Sequence, residues 1–262
     1  MTEPQASGRA PFETNALGRR LVVVSPHLDD AALSLGATIA RATRRGTEVE
    51  VLTVFAGDPD TDAPASPHDR ACGFASAAEA ARERRAEDRL ACEALGARPA
   101  WLSFVNNADS DLIADSDLCA AVVERLSPTD TVLLPGFPLD HGDHLRVARA
   151  LLDEVVRLGA RTGLYVEQPY ATWRALSGSR ASSAPTSGAT LETFSATRRE
   201  LSHPVVWKRS LPGPPAWVMK HRAARLYRSQ LPRLRRVPLL RVALYEAVRR
   251  GECLAWWTDE SA

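Results

Sequence analysis

The sequence lacks what would carry a chain across a membrane or onto a nucleic acid. No run approaches the roughly 18 consecutive apolar residues that a bilayer span requires. Runs such as Leu21–Val24 are only a strand's length. With 33 basic against 32 acidic residues the formal net charge is +1, so no global field draws in a polyanion or an anionic surface. Cysteine is sparse and scattered: Cys72, Cys92, Cys119 and Cys253 contain no Cys-x-x-Cys pair, which suits neither a disulfide framework nor a thiolate zinc site. Reduced thiols in a cytoplasmic protein are the expectation. Gly-x-Gly-x-x-Gly is missing after the first strand-like run, where Ser25–Gly36 carries only the final glycine, and no phosphate-loop pattern occurs. Both absences argue against nucleotide binding. Met1–Arg20 mixes Glu3, Arg9 and Glu13 without the apolar centre of a secretory leader. Residues 1–19 therefore read as a flexible tail, and residues 20–262 as a single domain. Lysine is nearly absent, with only Lys208 and Lys220, while arginine and alanine abound, the bias of a GC-rich bacterial genome.

What is present is ample for a packed core: 262 residues, 45% apolar and 25% charged. Short β-branched runs alternate with helical patterns, the mark of a parallel sheet flanked by helices. The fold class expected is α/β, a Rossmann-like three-layer sandwich with a mostly parallel sheet of at least five strands and an irregular C-terminal extension. Strands are expected at Leu21–Ser25, Val49–Phe55, Ala100–Val105, Thr131–Leu134 and Gly163–Val166. Helices are expected at Ala31–Arg45, stopped by Gly46, at Ser76–Leu95, closed by Gly96, and near Asp115–Leu126 and Asp143–Leu158. Residues 175–195, rich in Ser, Ala, Thr and Gly, read as a surface excursion. The basic stretch 220–250, with ten Lys or Arg against the single acid Glu246, reads as an amphipathic closing segment with a solvated charged face.

In open α/β sheets ligands bind beyond the carboxyl ends of the strands. Two such ends are chemically loaded. After strand one comes Ser25-Pro26-His27-Leu28-Asp29-Asp30, and after strand four Asp140-His141-Gly142-Asp143-His144. A catalytic zinc site takes three protein ligands from imidazole and carboxylate and leaves one position for water. The two clusters hold that set. Adjacent carboxylates point in different directions, so one of Asp29 and Asp30 can bind metal while the other accepts a proton. Likewise one of His141 and His144 can bind metal while the other stabilises charge developing on a substrate oxygen. The plainer alternatives are helix capping by Asp29, Asp30 or Asp143, with solvated histidines.

At these residues the chain resembles the LmbE-like, or PIG-L, zinc-dependent N-deacetylases. Their marks read here Pro26-His27-Leu28-Asp29-Asp30 and His141-Gly142-Asp143-His144, with lesser support from Arg84–Glu87, Glu167–Tyr170 and Lys220–Gln230. The resemblance implies that His27, Asp30 and His144 hold Zn2+, or Fe2+ or another divalent ion, and that Asp29 is the general base. It also implies that His141 polarises the scissile carbonyl, that Asp143 hydrogen-bonds and orients His141, and that Arg84 binds substrate. Leu28 stands where the family often has proline, and after strand three Asn106-Asn107, Asp109 and Asp111 stand where it usually has an aspartate.

The expected function is therefore hydrolysis of an acetyl or other acyl group from the amine of a small conjugate such as an N-acetylaminosugar derivative, in bacterial specialised metabolism. The expected partner is this small molecule, with no nucleic acid and no membrane; the oligomeric state is left open. Two other readings compete. One is a hydratase of an unsaturated acid on the same fold, which calls for an arginine-lined cleft with few tryptophans; the other is a metal-free binding protein. Asp58–Asp62 spaces three acids like a calcium loop, but Ala63 stands where that loop needs glycine. The Asp58–Phe74 loop, following strand two, reads instead as a rim of the cleft.

Overall fold

The structure is a computed structural model describing residues 17–60, 62–105, 113–176, 206–210, 212–230, 239–249 and 251–257. The expected excursion at 175–195 lies almost wholly outside the described residues, as do most of the tail and Asn106, Asn107, Asp109 and Asp111.

Strand β1 (Arg20–Ser25) runs into helix α1 (Asp30–Arg44), followed by β2 (Glu48–Thr53), a short α2 (Pro67–Ala71), α3 (Ala77–Leu95) and β3 (Arg98–Trp101). Then come α4 (Asp115–Val123), β4 (Thr131–Phe137), α5 (Gly142–Arg157), β5 (Arg161–Val166) and α6 (Tyr170–Leu176). The last third supplies β6 (Val206–Ser210), α7 (Pro214–Ala224), α8 (Leu239–Arg249) and β7 (Glu252–Trp256). The sheet order is β3-β2-β1-β4-β5-β7-β6. The first five strands are parallel, and β7 and β6 join antiparallel.

The alternation of side chains along β1 explains the three layers. Leu21 and Val23 face a core shared with α1, α3 and α7, while Val22 and Val24 face one shared with α4 and α5. A strand covered on both faces must be apolar throughout, which is why it reads as an unbroken Val run. Helix α3 is defined at both ends by its sequence. Ser76 accepts the Glu79 N–H at 3.1 Å, Glu79 returns a bond to the Ala75 N–H at 2.8 Å, and Gly96 takes φ 73° after the last turn.

Two expectations need correction. The third strand lies at Arg98–Trp101, earlier than expected, because β2 pairs with residues 98–101 and the apolar residues beyond them leave the sheet. The basic stretch is not merely a solvated face: Lys220 is 2% exposed and bound to Glu246 and Glu252. In the C-terminal third, β7 and β6 add to the edge of the sheet.

Strand β1 pairs with β2 on one side and β4 on the other. The chain direction of travel across the sheet reverses there, so the loops leaving β1 and β4 diverge and open a crevice at their carboxyl ends. Both charged motifs lie at this crevice.

Candidate active site

The site is built from the turn after β1. Ser25 Oγ accepts the Ala31 N–H at 3.0 Å and so caps α1 itself. Asp29, at the N-cap position, makes no side-chain capping bond and lies on the cavity wall. The carboxylate of Asp30 turns inward, where Oδ2 accepts the His27 backbone N–H at 2.9 Å. After β4, Leu139 adopts the left-handed region at φ 57°, a conformation costing an L residue about 1 kcal/mol. Its N–H is held by Glu167 Oε2 at 2.9 Å. His141 Nδ1 accepts the Asp143 N–H at 3.3 Å and caps α5, the first turn of which carries His144.

Three atoms converge between these segments. His27 Nδ1 and His144 Nε2 are 3.1 Å apart, His144 Nε2 and Asp30 Oδ2 3.1 Å, and His27 Nδ1 and Asp30 Oδ2 3.3 Å. Ligands at 2.0–2.1 Å around a tetrahedral zinc stand about 3.3 Å from one another. The outer ring nitrogens are engaged elsewhere: His27 Nε2 meets Asp143 Oδ2 at 3.0 Å, and His144 Nδ1 meets Glu167 Oε1. Each imidazole thus donates outward to a carboxylate, which turns its remaining lone pair into the triangle. Three lone pairs this close require a cation or shared protons between them, and the donor set fits a divalent ion. His141 brings a third imidazole nitrogen into the same group, within 4.8 Å.

Without a metal, protons take that place. Burial disfavours charge on His27, but its bonds to Asp143 and Asp30 outweigh this and push it up to about 9. At His144 burial is likewise overcome, by the charge and hydrogen bond of Asp30 and then by Glu167, pushing it up to about 11. Burial would raise Asp30, yet the neighbouring imidazoles hold it far below the carboxylate range. His141 goes the other way: burial and the charges of His27 and His144 lower it. A neutral His141 accepting at Nδ1 carries its proton on Nε2.

A cavity of about 720 Å3 opens over these residues, with His27, Asp29, Asp30 and His141 among its lining. Asp69, Arg84, Tyr227 and Gln230 contribute polar side chains, and Phe55, Pro59, Pro64, Val105 and Trp173 apolar ones. The loop after β2 thus forms the rim expected of it. Tyr227 is fixed from behind, its hydroxyl donating at 2.8 Å to Asp88, a fully buried carboxylate that also accepts from Trp101 Nε1 at 2.8 Å.

The structure brings all seven candidates to this crevice, with two differences from expectation. The hydrogen bond of Asp143 goes to His27, whereas His141 Nδ1 stands 3.6 Å from the carboxylate. The reason is local: His141 Nδ1 is occupied in capping the helix that begins beside it. Arg84 reaches the cavity but is ion-paired with Asp69, itself held by Ser66, so its charge is already partly answered. Glu167, given no role by the sequence beyond its place in the Glu167–Tyr170 segment, is 1% exposed and holds both His144 and Leu139. The signal available was its place immediately after β5, at the same end of the sheet. Tyr170, edge-on to His144 with ring centroids 5.2 Å apart, follows on the next turn.

No curated protein matches the sequence. Among solved structures, the chain is similar to the A40926 pseudoaglycone deacetylase Dbv21, at 25% identity and a TM-score of 0.72 over 93% of this chain and 98% of that one. It is similar in fold to a deacetylase of the teicoplanin biosynthesis pathway, at 24% identity and 0.73 over 93% and 100% of the two chains. The zinc-inhibited form of teicoplanin deacetylase Orf2 gives 21% and 0.73 over the same shares. The family model described as PIG-L, GlcNAc-PI de-N-acetylase, matches residues 22–155, more than half of the chain and the part holding both charged motifs. The chain belongs to the PIG-L family.

Proposed function

We propose that the chain is a metal-dependent N-deacetylase that hydrolyses the acetyl amide of an aminosugar carried on a larger conjugate. The observation that carries this reading is the triangle of His27, Asp30 and His144, with the carboxylate of Asp29 and the imidazole of His141 beside it on the cavity wall. His27, Asp30 and His144 would hold a divalent ion, zinc or iron. Such an ion supplies Lewis acidity, lowering the pKa of bound water towards about 7 and polarising an acyl carbonyl.

The remaining chemistry belongs to the side chains. Asp29 accepts one proton of the attacking water and passes it to the departing amine, while the other stays on the new carboxyl group, so that water and amide give acetic acid, which ionises to acetate, and free amine. The Nε2–H of His141 donates to the carbonyl oxygen as it gains negative charge. Asp143 and Glu167 fix the tautomers of His27 and His144 and keep their inner lone pairs directed at the ion. Arg84, together with Asp69 and Gln230, offers hydrogen bonds to hydroxyl-bearing parts of a substrate, and Trp173, 45% exposed, offers an apolar surface to the rest.

The pseudoaglycone deacetylase at 25% identity supports a glycosylated substrate of specialised metabolism. The hydratase reading calls for a cleft of several arginines, and the described cavity lining has only Arg84, already paired with Asp69. The intact donor triangle opposes a metal-free binding protein. Acetate release from a panel of N-acetylated glycosides tests the proposal: the parent turns over at least one of them, and Asp29→Asn, folded and metal-loaded, loses at least 100-fold in kcat. Equal turnover by the two proteins would refute the role of Asp29.

A further inference from the structure

Behind the site lies a buried ionic cluster that the chemistry above does not use. Lys220 on α7 is 2% exposed, and its Nζ lies 2.7 Å from both Glu246 Oε1 and Glu252 Oε1. Burying three ionised side chains costs several kcal/mol per ion before their attraction is counted, and apolar residues of similar size would usually serve stability as well. What distinguishes this cluster is where it grips. Glu252 accepts the N–H groups of Ala37 at 3.0 Å and Thr38 at 2.7 Å, in the middle of α1, and Lys220 Nζ donates to the Ser34 carbonyl at 3.3 Å. Ser34 O and Thr38 N are partners four residues apart in an α-helix. A carboxylate and an ammonium thus act on the two ends of one rung of the helical ladder. Lys220 also fits closely here, since a Cβ on Gly36 would meet its Cγ at 2.9 Å.

The first turn of α1, ahead of this point, carries Asp30, and Ser34 lies one turn further on the same face. The Ser34 hydroxyl accepts the Gln168 N–H at 3.0 Å. Gln168 adjoins Glu167, the acid bonded to His144 Nδ1, and His144 Nε2 meets Asp30 Oδ2 at 3.1 Å. The path closes on itself: Asp30, one helical turn, Ser34, Gln168, Glu167, His144 and back to Asp30. Its members are all buried.

We propose that Ser34 is a positioning residue for the metal-holding triangle, with Lys220 and Glu252 of the C-terminal third fixing the stretch of α1 from which it acts. The ring sets the spacing between Asp30 and His144, the two ligands that come from different segments and have no backbone link of their own. His27 is registered separately, by its N–H on Asp30 and by Asp143.

This inference rests on the metal-dependent reading of the site, and its test separates the two. Co2+ titration of the metal-free parent, followed by its visible d–d bands, gives a dissociation constant and a signature of ligand geometry. Ser34→Ala is expected to weaken Co2+ binding up to about 10-fold and alter the bands, the low end of the range for removing a direct partner of a metal ligand, because Ser34 acts one step further out. Ser34→Cys, a weaker acceptor of similar size, should fall between. Thr43→Val is the control: it removes a hydroxyl that bonds the Leu95 carbonyl at 2.8 Å from the same helix, remote from the site. It should lower the melting temperature and leave cobalt affinity and bands unchanged. If Ser34→Ala and Ser34→Cys match Thr43→Val, losing stability alone, the positioning role is overturned. If the parent itself binds no cobalt, the metal reading is overturned and the positioning role falls with it.

Discussion

Replacing Glu167 by glutamine is the smallest change that strikes the donor triangle without touching a ligand. Glu167 is 1% exposed and accepts two hydrogen bonds, from His144 Nδ1 and from the N–H of Leu139 at 2.9 Å. Glutamine keeps the volume but has one acceptor oxygen, so one of the two donors must then face an NH2 group. A buried donor left without an acceptor costs about 1–3 kcal/mol. For a domain of this size that lowers the melting temperature by roughly 2–4 °C per kcal/mol. The loss should be larger in the metal-loaded protein, because a neutral amide no longer fixes the His144 tautomer or strengthens its inner lone pair. About 10–100-fold in metal affinity is expected, equivalent to about 1.4–2.7 kcal/mol. Competition with a chelator of known affinity measures this directly, and differential scanning calorimetry of the metal-free and loaded forms separates the two contributions. A Glu167→Gln protein with parental metal affinity and a lowered melting temperature would refute the reasoning, leaving Glu167 as a support for Leu139 only.

Other variants separate roles that share the crevice. His141→Ala should lower kcat by about 100–1,000-fold, the usual cost of an oxyanion donor, with metal content at the parental level by elemental analysis. Arg84→Met and Asp69→Asn each disrupt the cavity-wall ion pair; steady-state kinetics should show a raised KM for the Arg84 variant with metal content unchanged. Asp88 is pushed up to about 7, since its burial outweighs the bonds from Trp101 and Tyr227. Its folded form therefore holds a proton that the unfolded chain releases near pH 4. Its contribution to stability is full below that pH and is lost as pH rises towards about 7. Urea denaturation across this window should show the parent declining relative to Asp88→Asn; parallel profiles would contradict the assignment.

The parts of the molecule most readable from sequence are those where a local pattern and its function coincide. The β1 run, the His27–Asp30 turn and α1 are contiguous, so burial on both faces, helix initiation and ligand chemistry all leave their mark within a short stretch. The same holds for His141–His144 at the start of α5. Glu167 was harder to find because a single acid after a strand has no partner at a telling spacing; its meaning comes from His144, brought to it by the pairing of β4 with β5. The pairing of Asp143 with His27 was missed for a similar reason. Sequence neighbours suggested His141, but a helix-capping bond had already claimed that ring nitrogen. Lys220 looked like one cation among many in a basic stretch. Its two acids, Glu246 and Glu252, come from α8 and β7, and only the folding of the last third onto α1 puts the three together.

The most direct measurement is the metal content of protein purified without chelator or metal-affinity resin, for the parent and His144→Ala side by side, by mass spectrometry of the elements. About one zinc or iron per chain in the parent, lost in the variant while its circular dichroism stays parental, is the expected result. Metal absent from both, even after reconstitution with zinc, or equal in both, would contradict a catalytic ion held by His27, Asp30 and His144.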